Sequence, residues 1–199
     1  DKIKEYNLKK NNYLLAVSRL IPTKGVHVLI KAFNEIKKEN KDNEKIQNLK
    51  LAIVGGSVYT NEYVKELHKL ASLNNNIIFT DFQSGETLDQ LYGHSLGLVH
   101  PSFNEGLPLT VLEAMSYSKP ALVSNINEHR ELIDDNRFFF KENNVGELKK
   151  SILNFIELSD EEKVRVGKHN RDIIEEYYQW DKIIPNVINL YENKMITAN

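Results

Sequence analysis

The stretch LKLAIVGGSVYTNEYVKELHKLASLNNNIIFT, residues 49–80, decides the fold. Its first seven residues (49–55) form an apolar run with glycine at its exit. Residues 62–73 place Val64, Leu67, Leu70 and Ala71 at helical spacing, and NIIFT (76–80) is a second β-rich run. Strand, helix, strand in about 30 residues is a βαβ unit, and its strands are parallel. The same alternation runs outward in both directions. Upstream lie YLLAVS (13–18) and a helix over 25–39 carrying Val28, Leu29, Ala32, Phe33 and Ile36. Downstream are LGLVHP (96–101), PALVS (120–124) and the weaker RFFF (137–140), with shorter helices over 85–93, 108–117 and 127–134. Runs such as LAIV and LGLV are apolar on both faces and suit strands covered by helices on each side. The expectation is an α/β fold: one Rossmann-like, doubly wound parallel sheet of about six strands, with ligands bound beyond the carboxyl ends of the strands.

After residue 140 the strands stop, and helices are expected over 144–158, 160–178 and 182–194 with no Gly/Pro-rich linker between them. One domain over 1–199 follows, with 1–12 read as an interdomain linker and 178–199 as a C-terminal helix. NKDNEKIQN (40–48) reads as a mobile surface loop. A net charge of -2 gives no overall basic field, which disfavours nucleic acid as a partner. Without cysteine there is no disulfide framework, thiolate metal site or cysteine nucleophile. No apolar run approaches the roughly 20 residues of a spanning helix. These features favour a cytoplasmic setting. The chain opens on Asp1 rather than Met, which suggests a piece of a longer protein.

Two strand exits carry the chemistry. SRLIPTKG (18–25) puts Arg19 and Lys24 on the loop after the first strand, flanking a helix start whose free N–H groups already favour an anion. A phosphate or diphosphate is the natural ligand, although loop cations are ordinarily solvated charges. HPSFNEGLPLTVLEAMSYSKP (100–120) follows another strand. There Asn104 is a helix cap, Gly106 admits close backbone approach, and Pro108 fits the first helical position. Leu109, Leu112 and Met115 are expected to face the core. Glu105 precedes the helix and Glu113 lies one to two turns inside it. Carboxylates accept several hydrogen bonds and can grip vicinal hydroxyls of a sugar or ribose. A glycosidase-like acid/base pair is the rival reading, but the helix starts and cations suit an anionic leaving group.

Taken together, SRLIPTKG, the pair Glu105 and Glu113 in PSFNEGLPLTVLEAM, the later HRELI and the aromatic-led YQWDKIIPNVINLYE (178–192) resemble the family 4, or group 1, retaining glycosyltransferases. Coverage runs from about Tyr13 to the C-terminus. Members of that family use two Rossmann-like domains facing a cleft, the glycosyltransferase-B arrangement. This chain is similar to the C-terminal half, which holds the nucleotide sugar. The resemblance implies that Arg19 and Lys24 contact the diphosphate, Glu105 the donor sugar and Glu113 the ribose. Backbone N–H groups of Leu107, Leu109 and Thr110 would add phosphate contacts. Gly55, Asp81 and Phe82, on the loops after the second and third strands, would line the base side, with Gln83 nearby.

The implied reaction is retaining transfer of a hexose-type sugar to an acceptor hydroxyl, with Arg19, Lys24 and Glu105 as the catalytic set. A UDP-sugar is the first expectation for the donor, with GDP- and ADP-sugars behind it. A glycan or lipid-linked acceptor would enter through an N-terminal domain absent from this chain, and the isolated half would transfer nothing. By analogy the setting is bacterial surface-polysaccharide synthesis, with peripheral association at the cytoplasmic membrane face open to the full-length protein. No Asp-x-Asp motif occurs, and no cofactor or metal is required. His27, His68, His94, His100, His129 and His169 show no ligand spacing along the chain and read as packing or surface residues. His100 lies nearest the site and is the one singled out for mutation.

Several loops depart from the family pattern. GGSVY (55–59) lacks an acidic residue after the first glycine, TDFQSG (80–85) lacks the usual glycine after the aromatic, and Ser118 stands where relatives often carry glycine. A donor-binding module working with a separate acceptor subunit, and a nucleotide-sugar hydrolase or epimerase of the same architecture, are the competing functions.

Overall fold

Short aliphatic runs pair into one sheet in the computed structural model, which describes residues 2–56 and 61–196. The strands are β1 (Tyr13–Val17), β2 (Lys50–Val54), β3 (Ile77–Phe79), β4 (Gly97–His100), β5 (Ala121–Ser124) and β6 (Phe139–Phe140). Their spatial order is β3-β2-β1-β4-β5-β6, and every pairing is parallel. The six-stranded doubly wound sheet expected from the sequence is therefore the fold. Strand order reverses between β1 and β4, so their exit loops flank the switch-point crevice where such sheets bind ligands.

The helices are α1 (Val26–Glu39), α2 (Glu44–Asn48), α3 (Asn61–Ala71), α4 (Gly85–His94), α5 (Leu109–Ser116), α6 (Asn127–Arg130), α7 (Val145–Glu157), α8 (Asp160–Tyr177) and α9 (Trp180–Ile196). The apolar stripe of α1, with Leu29, Ala32, Phe33 and Ile36 buried, packs against α7. In turn α7 buries Leu148, Ile152, Phe155 and Ile156. A capping box between Ser159 and Glu162 starts α8 immediately after α7.

Three expectations need correction. Residues 40–48 are not simply a surface loop: Asn43 caps α2 by accepting from the Ile46 N–H, and Ile46 is buried. Lys37 donates to the Gln47 carbonyl at 2.8 Å and to that of Leu49 at 2.5 Å, fastening the turn to α1. The first half of RFFF belongs to a 3-10 turn, Asn136–Phe138, capped by Asp135, so the last strand shrinks to Phe139 and Phe140. In α5 the cap position is Pro108 and no side chain caps it, whereas Asn104 is exposed in the loop before it. Of the three residues expected at the core, Met115 is buried and Leu112 packs partly buried against it, but Leu109 is 60% exposed, and Val111 and Ala114 join Met115 instead.

The stretch 1–12 is anchored on the domain, with Ile3 and Leu8 buried and the Lys2 N–H donating to Gln90 at 2.7 Å. Of the C-terminal segment, residues 197–199 lie outside the described residues, as do 57–59 of the GGSVY loop.

Candidate functional site

The loops leaving β1 and β4 are stitched together through their backbones. Phe103 N–H donates to the Thr23 carbonyl at 2.8 Å, and the Ser102 hydroxyl reaches the same oxygen at 3.3 Å. Between them sits Gly25, which ends the 3-10 turn Pro22–Lys24 with φ 66. A Cβ there would lie 2.1 Å from the Pro101 carbonyl oxygen, so only glycine satisfies both the left-handed backbone and the approach.

That seam places Lys24 against Glu105. Lys24 Nζ is 2.7 Å from Glu105 Oε1, with side-chain exposures of 14% and 7%. His100, the last residue of β4, puts Nε2 2.7 Å from the same oxygen. Burial raises the Glu105 pKa, but the bonds from His100, Lys24 and Ser102 outweigh it and hold the carboxyl at about 2. A carboxylate can only accept, so the His100 Nε2–H donates to it. On the far side of that ring, the Thr110 hydroxyl faces Nδ1 at 3.4 Å, and the His129 ring meets His100 edge-on, 5.3 Å between centroids.

The other site residues lie around this cluster. Arg19 is exposed on the β1 exit loop. Gly55 closes β2 with φ 143, and a Cβ on it would come 1.8 Å from the Ser18 carbonyl. Its N–H donates to the Asp81 carbonyl at 2.9 Å, which brings the β1, β2 and β3 exits together. Asp81 adopts φ 57, and Phe82 is 75% exposed beside it. Gly106, Leu107 and Leu109 are exposed, and a Cβ at Gly106 would meet open space. The Leu109 N–H is already bonded to the Leu107 carbonyl at 2.9 Å, so of the three N–H groups expected for a phosphate that one is occupied in this structure. Glu113 is exposed on α5 and accepts from the Tyr92 hydroxyl at 2.7 Å. Burial and the Glu113 charge push the Tyr92 pKa up, which keeps that phenol a donor.

His129 and Thr110 take parts that side-chain spacing did not assign. His129 is fully buried. Its Nδ1–H donates to the Ser124 carbonyl at 2.8 Å, and burial pushes its pKa down to about 4 despite that bond. Their one sequence signal is place: His100 ends β4 and His129 follows the adjacent β5. His100, Glu105 and His129 thereby bring ligand-type atoms within 4.8 Å of one another. The Lys24 ammonium already sits on the Glu105 oxygen a divalent ion would use, and His100 Nε2 offers a proton there rather than a lone pair. The arrangement is that of a hydrogen-bonded cluster. A separate cavity of about 310 Å³ between Ile133, Phe138 and Val166 carries charges that are spent internally. In it Arg137 pairs with Asp135 and Glu162, and His169 with Asp134.

A six-stranded, doubly wound parallel sheet of this order is the architecture of one Rossmann-like half of a glycosyltransferase-B enzyme. The chain belongs to the glycosyl transferases group 1 family, whose model matches residues 1–180. It is 27% identical over 196 residues to spore coat protein SA of Bacillus subtilis, covering 94% of this chain and 50% of that protein. It is 30% identical over 196 residues to the uncharacterised glycosyltransferase MJ1069 of Methanocaldococcus jannaschii, covering 96% of this chain and 47% of that one. Among solved structures, Anabaena HepE in complex with UDP and glucose superposes with a TM-score of 0.83 at 22% identity, over 96% of this chain and 51% of that one. The chain thus spans about half the length of the curated relatives it matches.

Proposed function

We propose that this chain binds a nucleotide-diphosphate sugar, a UDP-sugar first, and that the complete protein transfers its hexose with retention to an acceptor hydroxyl. The supporting observation is the buried cluster of Lys24, His100 and Glu105 at the seam of two strand exits. Lys24 has three N–H donors and spends one on Glu105, leaving donors for a β-phosphate. Arg19, exposed on the same loop, supplies a second cation. Glu105, ionised at about 2, accepts from a sugar hydroxyl. It is unsuited to general-acid work near neutrality, because a catalytic acid should titrate near the working pH. That weighs against a glycosidase-like pair. Glu113, met by a phenol rather than a cation, accepts from the ribose hydroxyls, while Gly55, Asp81 and Phe82 face the base. N–H groups of Leu107 and Thr110 add phosphate contacts.

In the transfer step the bond between the anomeric carbon and the diphosphate oxygen breaks, and the acceptor oxygen bonds to that carbon on the same face. The acceptor proton passes to the leaving phosphate. Lys24 and Arg19 stabilise the charge gathering on the diphosphate, a contact whose loss commonly costs about 10²–10³ in rate. The acceptor, glycan or lipid-linked, is held by an N-terminal domain, and α9 leaves Trp180, Ile184, Ile188 and Tyr191 exposed in a helical row that such a domain would cover. No helix among the described residues is long and apolar enough to cross a membrane. We place the work in the cytoplasm, with peripheral contact at the membrane face, in surface-polysaccharide synthesis. The half studied alone would bind donor without transferring it.

A thermal-shift series of this chain against UDP-, GDP- and ADP-sugars tests the reading. A ligand at 100 times its Kd stabilises by about 2.7 kcal/mol, or about 5–10 °C for a chain of this size. No response to any nucleoside diphosphate or its sugar overturns it. Labelled-donor product analysis of the complete protein, with and without acceptor, separates transfer from hydrolysis.

A further inference from the structure

Glu105 is gripped on one oxygen from two sides. Lys24 Nζ and His100 Nε2 both donate to Oε1 at 2.7 Å, Ser102 adds a bond to the carboxylate, and a carboxylate's several lone-pair sites leave acceptor capacity for a ligand hydroxyl. The two donors differ in kind. Lys24 is a point charge on a flexible stem, and on the donor-site reading it must also serve a phosphate. His100 is fixed: it is 3% exposed at the end of a central strand. The Thr110 hydroxyl lies 3.4 Å from its Nδ1, and the His129 ring closes its flank. His129 is in turn pinned by its own bond to the Ser124 carbonyl.

We propose that His100 is a positioning residue, a buried donor that keeps Glu105 aimed at the donor sugar when Lys24 turns toward the diphosphate. The inference rests on the nucleotide-sugar reading and adds a division of labour to it. His100 governs how much the sugar contributes to binding, and leaves the nucleotide's own contribution alone. Thr110, in the first turn of α5, braces the far side of the ring, while the backbone N–H groups of the helix start do not depend on it.

The test uses His100→Leu, which removes the donor at similar volume, and His100→Gln, whose amide N–H reaches the place of Nε2. Carbon-13 NMR of the Glu105 carboxyl is the first readout and needs no ligand. The wild type titrates at about 2, His100→Leu moves up toward the ordinary 4.5, and His100→Gln stays near the wild type. Calorimetry with UDP and with UDP-glucose is the second. His100→Leu should bind UDP like the wild type and lose about ten-fold of the extra affinity that glucose confers, as expected for one hydrogen bond to a charged group. His100→Gln should recover it.

If His100→Leu does not fold, His100→Asn takes its place, since the shorter amide reaches toward Thr110 but not Glu105. An unmoved Glu105 titration overturns the proposal, and so does an equal loss for UDP and UDP-glucose. Stoichiometric zinc binding abolished by both His100→Leu and His129→Leu also overturns it, in favour of a ligand role. A wild type that binds neither UDP nor UDP-glucose sinks the uridine-donor reading instead, while the NMR result still decides whether His100 holds Glu105.

Discussion

Replacing Glu105 by Gln removes one negative charge and little else, since E105Q keeps an acceptor for Lys24 and His100. A carboxyl held at about 2 in the folded protein against 4.5 in the unfolded chain stabilises the fold by about 3 kcal/mol at neutral pH, at about 1.36 kcal/mol per pH unit of separation. Breaking a buried ion pair on one side costs about 3–5 kcal/mol, so two routes agree on E105Q being about 3 kcal/mol less stable at pH 7. The carboxyl pKa is lower in the fold, so as pH falls below 4.5 the unfolded chain takes up the proton first. The contribution is therefore full above about pH 5 and gone near pH 2. Urea denaturation at pH 7, 5, 4 and 3 measures it. The gap between wild type and E105Q should shrink by about 2 kcal/mol between pH 5 and pH 3. His129, pushed down from 6.5 to about 4 by burial with the Glu105 charge pulling the other way, costs both proteins stability as pH falls through that window, and costs E105Q slightly more because that charge is gone, which works against the shrinkage. A gap of the same size at pH 5 and pH 3 would refute the claim that Glu105 is held ionised by its neighbours.

Three further outcomes follow from particular backbones and exposures. Ser118 holds φ 55 after α5, a left-handed conformation that costs a non-glycine residue about 1 kcal/mol; Ser118→Gly should raise Tm by about 2–4 °C, and an unchanged or lower melting point contradicts that. Gly25→Ala drives a Cβ to 2.1 Å from the Pro101 carbonyl at φ 66 and should cost about 3 kcal/mol or more in chemical denaturation, whereas a loss under about 1 kcal/mol means the two exit loops are not locked there. Arg19→Ala, at an exposed position, should leave stability within about 0.5 kcal/mol yet weaken UDP binding by calorimetry about ten-fold; equal affinity removes Arg19 from the phosphate site.

The sheet was legible because burial on both faces leaves contiguous apolar runs that need no periodicity to be seen. YLLAV is buried up to its half-buried last residue, Val17, and GLVH is buried throughout. The turn over 40–48 was not, because its order rests on one apolar residue, Ile46, and on lysine and glutamine bonds to main-chain carbonyls. Such bonds leave no hydrophobic pattern. The start of α5 was misread for a related reason. Asn104 has the right side chain for a cap, but Pro108 occupies the cap position, and Leu109 sits on the exposed side of the first turn. A composition-based cap rule chooses residue type without knowing where the loop turns.

At the site, the residue types were readable and their partnerships were not. Lys24 and Glu105 lie 81 positions apart, and what joins them is a main-chain bond from Phe103 to Thr23 and a glycine contact with Pro101, neither of which has a side-chain signature. The consequence reaches the chemistry. In sequence, Glu105 and Glu113 are two equivalent carboxylates, open to a grip on hydroxyls or to an acid and base pair. In the fold, Glu105 takes charge-assisted bonds that hold it ionised at about 2, while Glu113 takes only a phenol on an exposed helix face. An acid and base pair requires one member to hold a proton near neutral pH, and Glu105, the member proposed for the sugar, is the one whose surroundings oppose that most strongly. The carboxylates are separated by environment in the direction that suits binding, and the donors responsible, Lys24 and His100, come from the loops that converge where the strand order reverses.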